Sequence, residues 1–211
     1  MRTEDLIRAL GADSRSQPEP IAQRFLTLAV AGALAAACAF ALILTPRPDL
    51  GAVITTPRVA FKFLLALTLV GAAGALAFNT MRPEARPSLG LILVPILALL
   101  ALGISAELIA SSPADWWRLL AGSNALACVT LIPLLSLPPL AAILVAMRYG
   151  APARPRLAGA VAGLLAGGVG TAVYATHCPD DSPLFVAAWY GVSIAAVAAL
   201  GTVLGARLLR W

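Results

Sequence analysis

The chain has 211 residues, of which 60% are hydrophobic and only 12% are charged, with a formal net charge of +5. Soluble domains carry about 45–50% apolar and about 25% charged residues, so a water-soluble globule cannot bury this much apolar surface at this length, whereas a bilayer can. The basic excess does not point to nucleic acid, because there is no run of lysine and arginine and no aromatic platform of the kind such binders use.

The N-terminal stretch "MRTEDLIRALGADSRSQPEP" is the largest polar segment. Leu6, Ile7 and Leu10 fall on one face of a predicted short amphipathic helix, Thr3 is placed to cap it, and Glu4 and Asp5 suit its first turn. Gly11 stops it, and "SRSQPEP" reads as a flexible linker. A helix this short is marginal alone in water and gains order in a partner's groove. Residues 1–24 are therefore expected to form a cytoplasmic tail and residues 25–211 a transmembrane domain.

Six apolar runs follow, each near the roughly 20 residues needed to span a bilayer: about Phe25–Leu44, Val59–Thr80, Leu89–Ala110, Leu120–Met147, Leu157–Thr176 and Leu184–Ala206. Proline and glycine mark nearly every break. The expected fold is all-α, an integral-membrane bundle of six helices. The first run is too long, and too far from the N-terminus, for an ordinary signal peptide.

With six spans both termini share a side. That side carries eleven arginines (Arg2, Arg8, Arg15, Arg24, Arg82, Arg86, Arg148, Arg154, Arg156, Arg207 and Arg210), against Arg47, Arg58, Lys62 and Arg118 on the other. The positive-inside rule predicts cytoplasmic N- and C-termini. Trp116, Trp117 and Trp189 then fall near the outer interface and Trp211 near the inner one, and the loop "YATHCPDDSP" faces outward.

The chemistry-bearing residues gather at that outer end. The three cysteines are Cys38, Cys128 and Cys178, with no CxxC motif. Cys128 lies roughly 10–12 Å into the fourth span, and Cys178 ends the fifth, so the two form a candidate redox- or metal-responsive pair. The competing reading of any such cysteine is a small buried hydrophobe, and Cys38 in its alanine-rich helix is read that way. His177, Asp180 and Asp181 surround Cys178, Glu107 offers a further carboxylate, and His177, Cys178 and Cys128 are candidate transient ligands for a soft metal ion. No resident metal or cofactor is expected. The aspartates and His177 are expected to keep Cys178 wet and accessible. Lys62 is expected to snorkel to the interface. Pro133, Pro138 and Pro139 are expected to bend or break the fourth span. Gly159, Gly163 and Gly167 at four-residue spacing are expected to form a close packing seam, within the bundle or between two copies in a homodimer.

The strings "MRTEDLIRAL", "IPLLSLPPL", "HCPDDSPLFVAAWYG" and "GARLLRW" together resemble the NrsF-type negative regulators of sigma factor, nearly end to end. This resemblance implies an inner-membrane anti-sigma factor, not an enzyme, whose cytoplasmic N-terminal segment holds an extracytoplasmic-function sigma factor, here through Leu6, Ile7, Arg8 and Leu10. It also implies a periplasm-side cysteine pair, mapping onto Cys128 and Cys178, that senses heavy-metal or oxidant stress and triggers release. The rival class is a small transporter or channel, suggested by the proline-rich fourth span and Glu107, although Asn79, Ser105 and Asn124 are scattered and no repeat is evident. A thiol-disulfide enzyme would need two redox pairs, which three cysteines cannot supply.

Overall fold

The computed structural model describes residues 2–5, 7, 21–82 and 90–210, and the described residues contain helix and no strand. Thr3–Asp5 are helical and Ile7 is exposed; Leu6, Arg8 and Leu10 lie outside the described residues.

The long helices are α1 (Ile21–Ile43), α3 (Pro57–Thr80), α4 (Gly90–Ala110), α6 (Ala125–Met147), α7 (Pro155–Tyr174) and α8 (Pro183–Leu208), with short α2 (Leu50–Val53) and α5 (Trp116–Ala121) between them. Five of these are long and apolar enough to cross a membrane, and α4 with its sharply bent continuation into α5 makes up to six. Proline opens α3, α7 and α8, where its missing N–H would have lacked an intrahelical partner in any case. All of them except α2 and α5 therefore coincide with the apolar runs to within a few residues.

The core helix is α7, 67% buried across its apolar window against 17% for α1. It packs on α8, α6 and α3, while α1 lies against α6 and α4 against α3. The reason is composition. Gly159 and Gly163 face Gly201, Gly205, Val197 and Ala198 of α8 so closely that a Cβ on Gly163 would sit 2.6 Å from the Cα of Ala198. In lipid, where apolar burial drives little association, such backbone-to-backbone packing is what joins helices. The glycine seam is thus filled from within the chain.

One cluster of buried side chains runs through the middle and far part of the bundle, around Leu69, Leu76, Leu140, Ile143, Val161 and Leu165. A second occupies the end that carries the α7–α8 loop, around Phe40, Cys128, Ile132, Tyr174, Cys178, Phe185 and Tyr190. This is called the loop end below.

The expected break of the proline-rich span is not found. Pro133, Pro138 and Pro139 all lie inside an unbroken α6. Neighbouring helices compensate for lost backbone bonds in such helices, and here α6 packs against α1, α7 and α8.

Candidate functional site

The site begins with two helical stripes. On α6, Cys128, Ile132, Leu135, Pro139 and Ile143 are buried on one face, which aims Cys128 inward. α7 ends at Tyr174, whose carbonyl accepts from the backbone N–H of both His177 (2.9 Å) and Cys178 (3.2 Å). That extra turn carries Cys178 back over the bundle before Pro179 leads the chain away. The two sulfurs come to 4.0 Å from each other. Both residues are buried and neither is disulfide-bonded.

Cys128 Sγ also lies 3.6 Å from the Tyr174 hydroxyl, and Cys178 Sγ lies 3.9 Å from the Asp180 carbonyl. The Tyr190 ring packs edge-on against Tyr174, and among the described residues its buried hydroxyl makes no hydrogen bond of regular geometry. Tyr190 sits on a π-helical turn, Val186–Tyr190, a form that is rare and frequent at functional sites. The Cys178 thiol is held below its ordinary range, chiefly by the hydrogen bond from Cys128; burial opposes this and the Lys62 ammonium reinforces it.

Cys178 is therefore not the wet, accessible thiol expected. The acids beside it are engaged elsewhere. The Asp180 carboxylate accepts from the backbone N–H of Ser123 (3.1 Å) and Asn124 (2.9 Å) and from the Asn124 side chain (2.9 Å), capping the start of α6. Asp181 takes Arg47 Nη1 on one oxygen (2.7 Å) and Lys62 Nζ on the other. His177 Nδ1 meets the Thr45 carbonyl at 2.6 Å.

Lys62 overturns a second expectation. It does not snorkel: it is fully buried, donating to the Cys178 carbonyl (2.8 Å) as well as to Asp181. The missed signal is its place in the buried stripe of α3, Val59, Lys62, Ala66, Leu69 and Ala73. A buried ammonium requires such partners. Cys38, in contrast, is exposed on α1, because the buried face of that helix is Phe25, Gly32, Ala36 and Phe40.

Glu107 is buried but does not join the thiols. Arg58 grips it with two hydrogen bonds, Nε to Oε2 (3.0 Å) and Nη2 to Oε1 (2.8 Å), at the wall of a cavity of about 1010 Å³ that Phe61, Leu102, Asp180 and Asp181 also line. Among the described residues no three His, Cys, Asp or Glu side chains are placed to hold a metal ion. Trp189 donates its indole N–H to the Leu120 carbonyl (2.9 Å), fixing α5 over this end. Gly122 follows α5 with φ +56°, a left-handed conformation that glycine adopts without strain.

Apolar helices compatible with a membrane, packed around a buried pair of free thiols at one end, define a class: small all-helical proteins with several potential membrane spans. Residues 10–211 match the family model described as "NrsF: Negative regulator of sigma F", and the chain belongs to this family. It is 36% identical to the "Probable anti-sigma-F factor NrsF" of Azospira oryzae and 38% identical to the "Anti-sigma-F factor NrsF" of Caulobacter vibrioides, with all of each chain covered. No solved structure matches.

Proposed function

We propose that this protein is an inner-membrane anti-sigma factor. Its cytoplasmic residues 1–24, through Leu6, Ile7, Arg8 and Leu10, sequester a sigma factor of the extracytoplasmic-function class, and the transmembrane domain of residues 25–211 governs release. Membership in the family of negative regulators of sigma F supports the sigma partner. The unequal distribution of arginines supports cytoplasmic termini and a periplasmic loop end.

The observation that carries the release step is the pair of buried sulfurs at 4.0 Å. Oxidation to a disulfide, or capture of a soft metal ion, pulls α6 and the α7–α8 loop together. Moving a two-state equilibrium from 1:99 to 99:1 requires about 5.5 kcal/mol. A disulfide contributes typically about 2–4 kcal/mol against the unfolded state, so a bond that forms in only one conformation supplies much of that shift. A transporter reading gains nothing from Glu107, whose carboxylate is already occupied by Arg58.

The test is a pull-down from cells with the full-length protein in detergent, with and without residues 1–24. Full-length protein is expected to retain a sigma factor and the truncated form to lose it; absence from both refutes the reading. The Cys128→Ser, Cys178→Ser double variant is expected to hold the sigma factor and ignore cadmium or chromate. A normal response in that variant removes the thiols from the mechanism.

A further inference from the structure

We propose that Lys62, held by Asp181, is a positioning residue for closure of the Cys128–Cys178 pair, a proposal that rests on the thiol pair acting as the switch. Its ammonium donates to the carbonyl of Cys178 itself and to the carboxylate of Asp181, three residues on. Both ends of the short turn that presents the thiol are thus fastened to α3, while the sulfur points away toward α6. Nothing else described on α3 hydrogen-bonds this turn; Arg47 reaches Asp181 from the segment between α1 and α2.

The chemistry needs that placement. Closure breaks two S–H bonds and forms one S–S bond, and the two electrons and two protons pass to an oxidant. With diamide, the N=N bond takes them up and becomes a hydrazine. The sulfurs stand at 4.0 Å and must reach about 2.05 Å, so closure is fastest from a conformation that already holds them near contact. A turn free to swing would lose that advantage.

Stability alone does not account for a lysine here. A buried ion pair is frequently no better than well-packed apolar side chains of the same volume, because desolvation offsets the attraction. The position lies in an apolar stripe that a methionine would fill. What the ammonium adds is a directional hold on a backbone carbonyl and a carboxylate, which no apolar side chain provides. Arg47 stays on Asp181 when Lys62 is removed, so no carboxylate is left buried and unpaired.

The experiment uses full-length protein in detergent carrying Cys38→Ser, so that the exposed thiol does not interfere. Two rates are measured for wild-type Lys62 and for Lys62→Met: diamide-driven closure, and alkylation of Cys178 by a small maleimide after adding Cys128→Ser. Taking the ratio cancels any change in the reactivity of Cys178 itself. The ratio of closure to alkylation is expected to fall about tenfold or more in Lys62→Met. An unchanged ratio in a folded variant overturns the proposal. If Lys62→Met does not fold, Lys62→Leu, which fills the same apolar stripe and also removes the donor to the Cys178 carbonyl, carries the same expectation and the same refutation. A wild-type pair that never closes under diamide overturns both this proposal and the switch, whereas failure to capture a sigma factor touches only the anti-sigma reading, since no sigma factor enters this assay.

Discussion

Substituting Gly163 by alanine probes the packing that orients the whole loop end. A Cβ at this position would lie 2.5 Å from the Val197 carbonyl oxygen and 2.6 Å from the Ala198 Cα, both backbone atoms of α8. Ordinary contacts begin at 3.4 Å, so α8 must retreat by about 0.9 Å, the difference between 3.4 and 2.5 Å. A gap of that size forfeits roughly a quarter to a half of the dispersion energy between the surfaces it separates, and forced core insertions cost about 1–3 kcal/mol. Gly71 on α3 is the matched control, since nothing lies within 4 Å of a Cβ there. Alanine at Gly71 is expected to be neutral or stabilising, because glycine is the weaker helix former. At the middle of that range, about 2 kcal/mol, thermal unfolding of the two variants in the same detergent should separate their midpoints by roughly 4–8 °C, taking about 2–4 °C per kcal/mol for a chain of this size. Midpoints within 1–2 °C of each other, by the same conversion, would refute the view that the glycine seam sets the α7–α8 distance.

Arg58→Ala is expected to lower the thermal midpoint more than Glu107→Gln. The first strands a buried carboxylate, whereas the second leaves a half-exposed guanidinium that water can solvate; equal losses would contradict the assigned asymmetry. Asp180→Ala removes the acceptor for the Ser123 and Asn124 N–H groups and is expected to cost about 1 kcal/mol while speeding maleimide labelling of Cys178, read by gel shift. Cys128→Ala removes the hydrogen bond that chiefly holds the Cys178 thiol down. The pH midpoint of Cys178 alkylation should then move upward, because less of the thiolate survives at a given pH; a midpoint that stays or falls assigns the effect elsewhere.

Sequence reading located the helices because bilayer thickness sets their length and proline marks their starts. It placed Cys128 and Cys178 at one end because depth along a helix follows from counting residues. Direction around the helix was harder to read. Lys62 lies at the expected depth but faces inward, and its partners are 116 and 119 residues away, contacts that no local periodicity encodes. Cys38 failed in the opposite sense, since a helix rich in alanine leaves little contrast between its faces. Arg47, Tyr174 and Tyr190 were missed for a similar reason: each looks like an ordinary loop-end residue until the α1–α3 connection is seen stitched to the α7–α8 loop. The aspartates were read as solvated because acids usually are, yet each has a set of donors waiting for it.

The stitching also gives α1 a mechanical property. Just beyond its end, the Thr45 carbonyl meets His177, and Arg47 holds both the Thr176 carbonyl through its backbone and Asp181 through its side chain. Its other end leads into the N-terminal segment. Midway, eleven residues from each terminus of the helix, Gly32 lies so close to α6 that a Cβ would sit 2.7 Å from the Pro139 Cα. A helix of 23 residues rising about 1.5 Å per residue spans about 34 Å, and Phe25, Gly32, Ala36 and Phe40 bury one face of it over most of that length, so α1 is a braced strut between the thiol loop and Ile21.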